Sequence, residues 1–335
     1  MRLRVFITQP VAAGAIDRLQ RSADVDLNRD PLHIMEKREL VAAARACDVL
    51  FCLLHDRIDA EVIAANPGLK AIASMTVTPA DIDVAAASAR GIPVTVVPAL
   101  LLNDATADLA WALLLAAARR VAEGDRLLRA GTVLGSQSSY LVGGGVSGKT
   151  LGILGMGGIG RAVARRAAGF AMKVLYHDPR RLDAADEHAL GLRWVGFDDL
   201  FRAADFVSIH VALSPATCHL VDARAIALMK PSAYLINTAR GPIVDEPALI
   251  RALTERRMAG AGLDVYEHEP HVDPRLLALP NVVLSPHTGS AISDLRAAMA
   301  DVVVDNILAI GAGKRPPNCW NPEIYAPRQT VQTNH

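Results

Sequence analysis

The sequence predicts an α/β protein whose sheets are mostly parallel and covered by helices on both faces. Three observations predict it. Short apolar runs of strand length alternate with helically spaced apolar patterns along most of the chain. Such alternation supplies the crossover helices that parallel strands need. A glycine-rich turn at residues 155–160 also joins one of these strands to one of these helices. With 335 residues, the chain is long enough for two domains.

In the first hundred residues the strand candidates are 4–8, 49–53, 70–73 and 93–96, and residues 11–20, 37–46 and 59–65 carry helical spacing. Residues 105–130, ATADLAWALLLAAARRVAEGDRLLRA, read as one long helix of strong helix formers. Its apolar face is too wide for a surface helix and is expected between domains or subunits. Residues 131–148 lack periodicity, contain GGG at 143–145 and read as a loop or arm. From Lys149 the strand candidates are 150–154, 173–177, 206–211, 233–237, 260–265 and 282–284. The proline-rich tail after Lys314, RPPNCWNPEIYAP, is expected to be irregular, with its last residues frayed.

Bulk properties exclude several classes. Lys+Arg and Asp+Glu each total 35, so no net field favours nucleic acid or anionic membrane. A hydrophobic content of 51% argues against disorder. Cys47, Cys52, Cys218 and Cys319 show no CxxC spacing and are expected to be reduced core thiols. The start, MRLRVFITQP, has too short an apolar run for a secretion signal. The longest apolar run, 109–118, falls short of the roughly 20 residues of a membrane helix. A soluble cytoplasmic protein is expected.

The stretch TLGILGMGGIGRAVARRAAGF contains Gly155-x-Gly157-x-x-Gly160 directly after an apolar strand and at the start of a helix. An acid, Asp178, follows at the end of the next strand, KVLYHD. Together these make the dinucleotide fingerprint. Gly155 permits the tight turn, Gly157 lets backbone approach a pyrophosphate, and Gly160 lets helix pack on strand. The helix N-terminus offers free N–H groups to the phosphates. Asp178 would take the adenosine ribose hydroxyls and repel a 2′-phosphate, favouring NAD, while Arg180 and Arg181 leave NADP open. A SAM-methyltransferase reading fits the glycine spacing less well.

Ligands of open α/β sheets bind at the carboxyl ends of the strands. There the second half places His210 to Leu213, Thr217, Thr238, Arg240, Asp264, Glu269, Ser285 and His287. A nicotinamide transfers hydride, so the protein must hold the substrate and supply a proton. Arg240 has the planar fork to bind a carboxylate and polarise a carbonyl. His287 suits proton transfer, and Glu269 is a candidate to orient it.

At these residues the chain resembles the D-isomer-specific 2-hydroxyacid dehydrogenases, in their glyoxylate/hydroxypyruvate reductase branch. The matching motifs are GMGGIG at 155–160, NTARG at 237–241, DVYEHEP at 264–270 and SPHTGS at 285–290, with ATADLAWALLLAAARR at 105–120 similar to the family's long helix. The resemblance implies two Rossmann-like domains. A cofactor domain at 100–288 would be inserted in a discontinuous, flavodoxin-like substrate domain of 1–99 and 289–335, with the active site in the cleft. It implies Arg240 as substrate binder, His287 as acid/base and Glu269 as its partner. Met156, Gly158 and Ile159 would meet the cofactor within the glycine turn. Thr106, Val211, Ala212, Thr217, Thr238, Ala239 and Gly289 would line it, and Asp264 would sit near the carboxamide. Backbone N–H groups of Val77 and Thr78 would hold the substrate carboxylate, with Leu54, His55 and Leu100 as further substrate-side candidates. The implied protein is a homodimer joined through the cofactor domain, acting on a small 2-keto or D-2-hydroxy acid.

The chain departs from the family pattern in places. Thr78-Pro-Ala-Asp-Ile-Asp83 stands where Gly-x-Asp-Asn-Ile-Asp is usual. The segment PALLLND at 98–104 is one residue longer than its typical counterpart, and Ala212 replaces a common proline. The tryptophan usual near Ser136 is absent, leaving Tyr140 as the aromatic of that arm. Val77 in place of a pocket cation disfavours a second anion site, so phosphite and formate are minor options. The rival class is a cofactor-sensing regulator on the same scaffold, like the related corepressors. Three other signals read as bland. His268-x-x-His271 is an exposed loop with no further metal ligand, and Arg161, Arg165 and Arg166 are a solvated helical stripe. Cys218 beside His219 points away from it.

Overall fold

The computed structural model describes residues 2–133, 135 and 137–326. The fraying expected of the last residues, and Ser136 itself, lie outside the described residues. The chain forms two compact units. One holds the described residues up to Leu101 and from Ile292 onward; the other is Leu102–Ala291.

The first unit contains β1 (Leu3–Ile7), β2 (Ala23–Leu27), β3 (Val49–Cys52), β4 (Ala71–Ser74) and β5 (Val94–Thr95). They form one parallel sheet in the order β2-β1-β3-β4-β5, the flavodoxin-like arrangement. Every residue of β3 and β4 is buried, as expected of strands covered on both faces. The apolar-run criterion does not reach β2. Its sequence, ADVDL, exposes Asp24 and Asp26 because β2 is an edge strand with one solvated side.

The tail after Lys314 is more ordered than expected. Trp320 N donates to Val94 O at 2.8 Å, and Val96 N donates to Asn318 O at 3.1 Å. Asn321 is buried; its Oδ1 accepts from Val94 N at 2.8 Å, and its Nδ2 donates to Ile92 O at 3.0 Å and Ser88 Oγ at 2.9 Å. The short edge strand β5 has unpaired backbone groups, and this segment satisfies them.

The second unit contains β6 (Thr150–Leu154), β7 (Lys173–His177), β8 (Leu192–Trp194), β9 (Phe206–Ile209), β10 (Tyr234–Asn237), β11 (Gly260–Leu263) and β12 (Val282–Leu284). Their order is β12-β11-β10-β9-β6-β7-β8, parallel at every pairing. Counted from β6 as the first strand, this is the Rossmann order with a seventh strand added. The strand order reverses between β6 and β9, which marks the ligand crevice.

The single helix expected at 105–130 is two, Asn103–Ala118 and Val121–Arg129. Arg120 sits in the left-handed region at φ 53° and breaks the run. The Ala118 carbonyl accepts from Gly144 N at 2.8 Å, and the Arg120 guanidinium grips Glu123 at 2.8 Å through Nε and Nη2. The arm therefore occupies the last carbonyl of the first helix.

The apolar run 109–118 belongs to a longer candidate. Ala99–Ala118 is long and apolar enough to cross a membrane by length and composition. Within the second unit, however, Ala107, Ala110, Leu113, Leu114 and Ala117 are buried in the core. Trp111 stacks on Phe170 at 4.8 Å and donates to Val163 O at 3.1 Å. Much of the apolar face expected at a domain or subunit boundary is thus covered inside one unit.

Two minor expectations change. Cys47 and Cys52 are buried, but Cys218 is exposed and Cys319 half-buried, all of them free thiols. The arginine stripe is ion-paired rather than merely solvated: Arg161 meets Asp186 at 2.6 Å and Arg166 meets Asp108 at 2.7 Å.

Replacing Asn321 with alanine removes its hydrogen bonds to the buried backbone of Ile92 and Val94 and to Ser88. It is expected to cost about 2–4 kcal/mol, read as a lower urea midpoint in equilibrium unfolding.

Candidate active site

The glycine turn lies between β6 and the helix Gly158–Ala167. Gly155 has φ 94°, and a Cβ there would meet the His210 carbonyl carbon at 2.7 Å. A Cβ on Gly160 would meet the Gly155 carbonyl oxygen at 2.2 Å. A Cβ on Gly157 would meet nothing within 4 Å, so that position opens outward. The helix starts with no side-chain cap, leaving its first N–H groups to a ligand. At the end of β7, Asp178 braces the same turn: Oδ2 accepts from Met156 N and Oδ1 from Arg180 N, both at 2.9 Å. The open cradle and uncapped helix fit a dinucleotide pyrophosphate.

Next along the rim, Thr217 closes the loop after β9. Its Oγ1 donates to Ala212 O at 2.6 Å and accepts from Ser214 N at 2.8 Å. Val211 and Thr217 are half-buried and Ala212 is exposed.

Three further loops carry the candidate chemistry. After β10, Asn237 shapes the turn to Arg240: its Oδ1 accepts from Ala239 N and its Nδ2 donates to Arg240 O, both at 3.0 Å. Arg240 and Ala239 are half-buried, and Arg240 Nη1 donates to Ala239 O at 2.7 Å. A Cβ on Gly241 would lie 1.9 Å from the Tyr266 carbonyl. Only glycine lets the Arg240 loop press this closely on the loop that carries Glu269. There, Glu269 Oε1 accepts from Tyr266 N at 3.0 Å, and Oε2 accepts from His287 Nδ1 at 2.6 Å.

His287 has φ 53°, a strained conformation for a residue with a side chain. The buried Asp264 holds that turn. Its Oδ1 accepts from Ser285 Oγ at 2.6 Å, Thr288 N at 2.7 Å and Thr288 Oγ1 at 3.2 Å, and its Oδ2 from Gly289 N at 2.9 Å. Thr106 is buried beside Gly289, 3.5 Å from where a Cβ would stand. Arg240, Glu269 and His287, chosen as strand-end residues of three different motifs, thus share one rim of one sheet, and Glu269 and His287 form a pair.

The model of the D-isomer-specific 2-hydroxyacid dehydrogenase NAD-binding domain matches residues 111–289. A glyoxylate reductase of Thermococcus litoralis is 43% identical over 328 residues, covering 97% of this chain and 98% of that protein. The chain belongs to the D-isomer-specific 2-hydroxyacid dehydrogenase family. Its fold matches a solved protein of Thermus thermophilus with TM-score 0.87 and 42% identity, covering 95% of this chain and 100% of that one. It also matches an NADPH-dependent glyoxylate/hydroxypyruvate reductase of Sinorhizobium meliloti, solved with citrate, at TM-score 0.80 and 31% identity, covering 95% and 97%. The chain is therefore an oxidoreductase of 2-hydroxy acids with a nicotinamide cofactor.

In this dehydrogenase the substrate-side candidates lie in the first unit. Val77 is half-buried and Thr78 exposed in the loop after β4. Thr76 Oγ1 donates to Thr78 O at 2.8 Å and meets Ser74 Oγ at 2.6 Å, which fixes that loop. Leu54 and His55 are half-buried in the turn after β3, with His55 at φ 73°. Asp56 pins this turn through bonds from Leu53 N at 2.7 Å and from Thr8 Oγ1. Leu100 is exposed in the turn Ala99–Leu102.

Among the signals set aside, His268 and His271 are exposed, and His219 pairs with Glu267 at 2.7 Å. The sequence reading named Ser285 at its strand end without giving it a role, and it missed the supporting groups Asn237 and Tyr266. Of these, only Asn237 carries a local signal, an Asx residue opening a turn.

His210, at the end of β9, is a half-buried titrating group whose Nδ1 is fully buried. Burial pushes its imidazole from 6.5 down to about 3. Between those values the unfolded chain takes up a proton that the folded chain refuses, so stability rises with pH there. His210→Asn is expected to flatten the loss of stability between pH 7 and pH 4, read as the difference in urea midpoints between variant and parent.

Proposed function

We propose that this dehydrogenase reduces a small 2-keto acid of the glyoxylate/hydroxypyruvate type to the D-2-hydroxy acid, with NADH preferred. The observation that carries the reading is the 2.6 Å His287–Glu269 pair on a strained turn, on the same rim as Arg240 and the dinucleotide cradle. The names of the relatives support the substrate class. The cofactor-sensing regulator gains nothing from them. Asp178 at the ribose end supports NADH, while exposed Arg180 and the NADPH-dependent relative keep NADPH as a second cofactor.

A bound dihydronicotinamide would supply the hydride. Arg240 binds the substrate carboxylate and polarises the carbonyl, so negative charge grows on its oxygen beside a cation. His287 Nε2 delivers the proton to that oxygen, while Glu269 orients the ring through Nδ1 and balances its charge. Asp264 acts on the nicotinamide end by holding residues 285–289, Gly289 included. Thr106, Val211, Ala212, Thr217, Thr238 and Ala239 border the cofactor. Val77 and Thr78 offer backbone N–H groups to the carboxylate, and Leu54, His55 and Leu100 contact the rest of the substrate. The free thiols suit a reducing, cytoplasmic setting.

The protein is expected to oxidise NADH with a panel of 2-keto acids, and more slowly to oxidise NADPH. His287→Ala is expected to lower kcat by roughly 10²–10⁴ with NADH affinity unchanged. Full turnover in a folded His287→Ala protein would refute the mechanism.

We also assign a homodimer contact to the cofactor unit. All nine residues of Val121–Arg129 are exposed or half-buried, and Val121, Leu128 and Val142 expose apolar side chains on this part of the surface. Sizing by light scattering is expected to give a dimer, and Leu128→Asp to weaken it. A monomeric parent protein would refute the assignment.

A further inference from the structure

Two buried polar atoms at the ligand crevice have no hydrogen-bond partner among the described residues: His210 Nδ1 and Thr238 Oγ1. Buried groups of this kind are rare in folded proteins and call for a partner. They are neighbours. The register pairs Ile209 with Asn237, so the next residues, His210 and Thr238, leave adjacent parallel strands side by side. They also share a face. Phe206 and Tyr234 stack at 5.3 Å in the core beneath the helices Asn103–Ala118 and Gly158–Ala167. Residues two and four positions on along each strand project to that same side. His210 N donates to Leu154 O at 2.7 Å, which sets it level with the first fingerprint glycine.

The order of strands says which part of a dinucleotide would lie over them. Along the rim, Asp178 ends β7, the pyrophosphate cradle follows β6, His210 follows β9, Thr238 follows β10, and the Glu269–His287 pair lies beyond. The adenosine ribose belongs at β7 and the pyrophosphate at β6. The nicotinamide ring belongs near Arg240 and His287. What lies between pyrophosphate and ring in the cofactor is the second ribose.

We propose that His210 is a cofactor-positioning residue, which with Thr238 binds a hydroxyl of the nicotinamide-side ribose through Nδ1 and Oγ1. Ser208 Oγ, 2.7 Å from His210 Nε2, fixes the ring from behind. Burial keeps the imidazole neutral, so it serves as a hydrogen-bonding group and not as a counter-charge to phosphate. A hydroxyl, which both donates and accepts, satisfies both orphan atoms. The assignment rests on the dehydrogenase reading above and adds a residue to it.

ADP and ADP-ribose differ by this ribose and its phosphate linkage, so their binding isolates the contact. Calorimetric titration of His210→Leu is expected to show ADP-ribose and NADH bound roughly three- to tenfold more weakly than by the parent, with ADP unchanged. Thr238→Val, close in shape to the native residue, is expected to show the same pattern and guards against a misfolded His210 variant. His210→Asn, whose amide can reach the Nδ1 position, is expected to recover part of the loss. Equal weakening of ADP and ADP-ribose, or no weakening of ADP-ribose in either folded variant, would overturn the assignment. A folded parent protein that binds neither NADH nor NADPH would instead overturn the dehydrogenase reading itself.

Discussion

Asp264 accepts four hydrogen bonds from residues 285, 288 and 289 while almost wholly buried. A buried carboxylate without such donors would be costly, and donors left without it would be equally costly. The two needs are met together, and the product is a turn that holds His287 in a left-handed backbone conformation. Without that clamp the strain at His287 would relax, and its ring would leave Glu269. The proposed proton donor thus depends on a residue that need not touch the reacting atoms.

The same logic runs along the rim. Parallel strands covered on both faces bury their middles, so polar side chains collect where strands end. Loops at those ends are then fixed by short-range devices: Asn237 within the Arg240 turn, Thr217 within the loop after β9, Asp178 across to Met156. Gly241 contributes by having no side chain, since the two loops it separates approach more closely than a Cβ permits. Rigidity at the site comes from many such local ties, each involving backbone groups, which is what holding a hydride acceptor at short range demands.

Much of this was legible in the sequence, for identifiable reasons. The central strands are continuous apolar runs because both faces are covered, and the glycine turn is marked by spacing and by the acid that follows. Arg240, Glu269 and His287 could be chosen because each follows a strand of one sheet. The edge strands β2 and β8 escaped, since Asp24, Asp26 and Arg193 face solvent and break the apolar run. The helix break at Arg120 escaped too, because every residue nearby favours helix and the tie to the arm at Gly144 is not local. His210 was legible as a strand-end residue, but nothing in the sequence assigned it a role. Its unpartnered nitrogen becomes visible only when the strand register and the burial of its surroundings are known.

The chain's connectivity carries a consequence for how the protein is made. The second unit is one uninterrupted stretch, Leu102–Ala291. The first is not: its edge strand β5 is sealed by Asn318, Trp320 and Asn321, more than two hundred positions later. On the ribosome the first unit's five strands emerge first, but the segment that seals β5 emerges only after every strand of the cofactor unit. The amino-terminal sheet must wait with an open edge while an entire domain is synthesised behind it. Closing it requires contacts of very long sequence separation, the slowest kind to form. Vectorial synthesis thus completes this protein from the middle outward, and the exposed β5 edge is the surface at which a nascent chain is most open to mispairing.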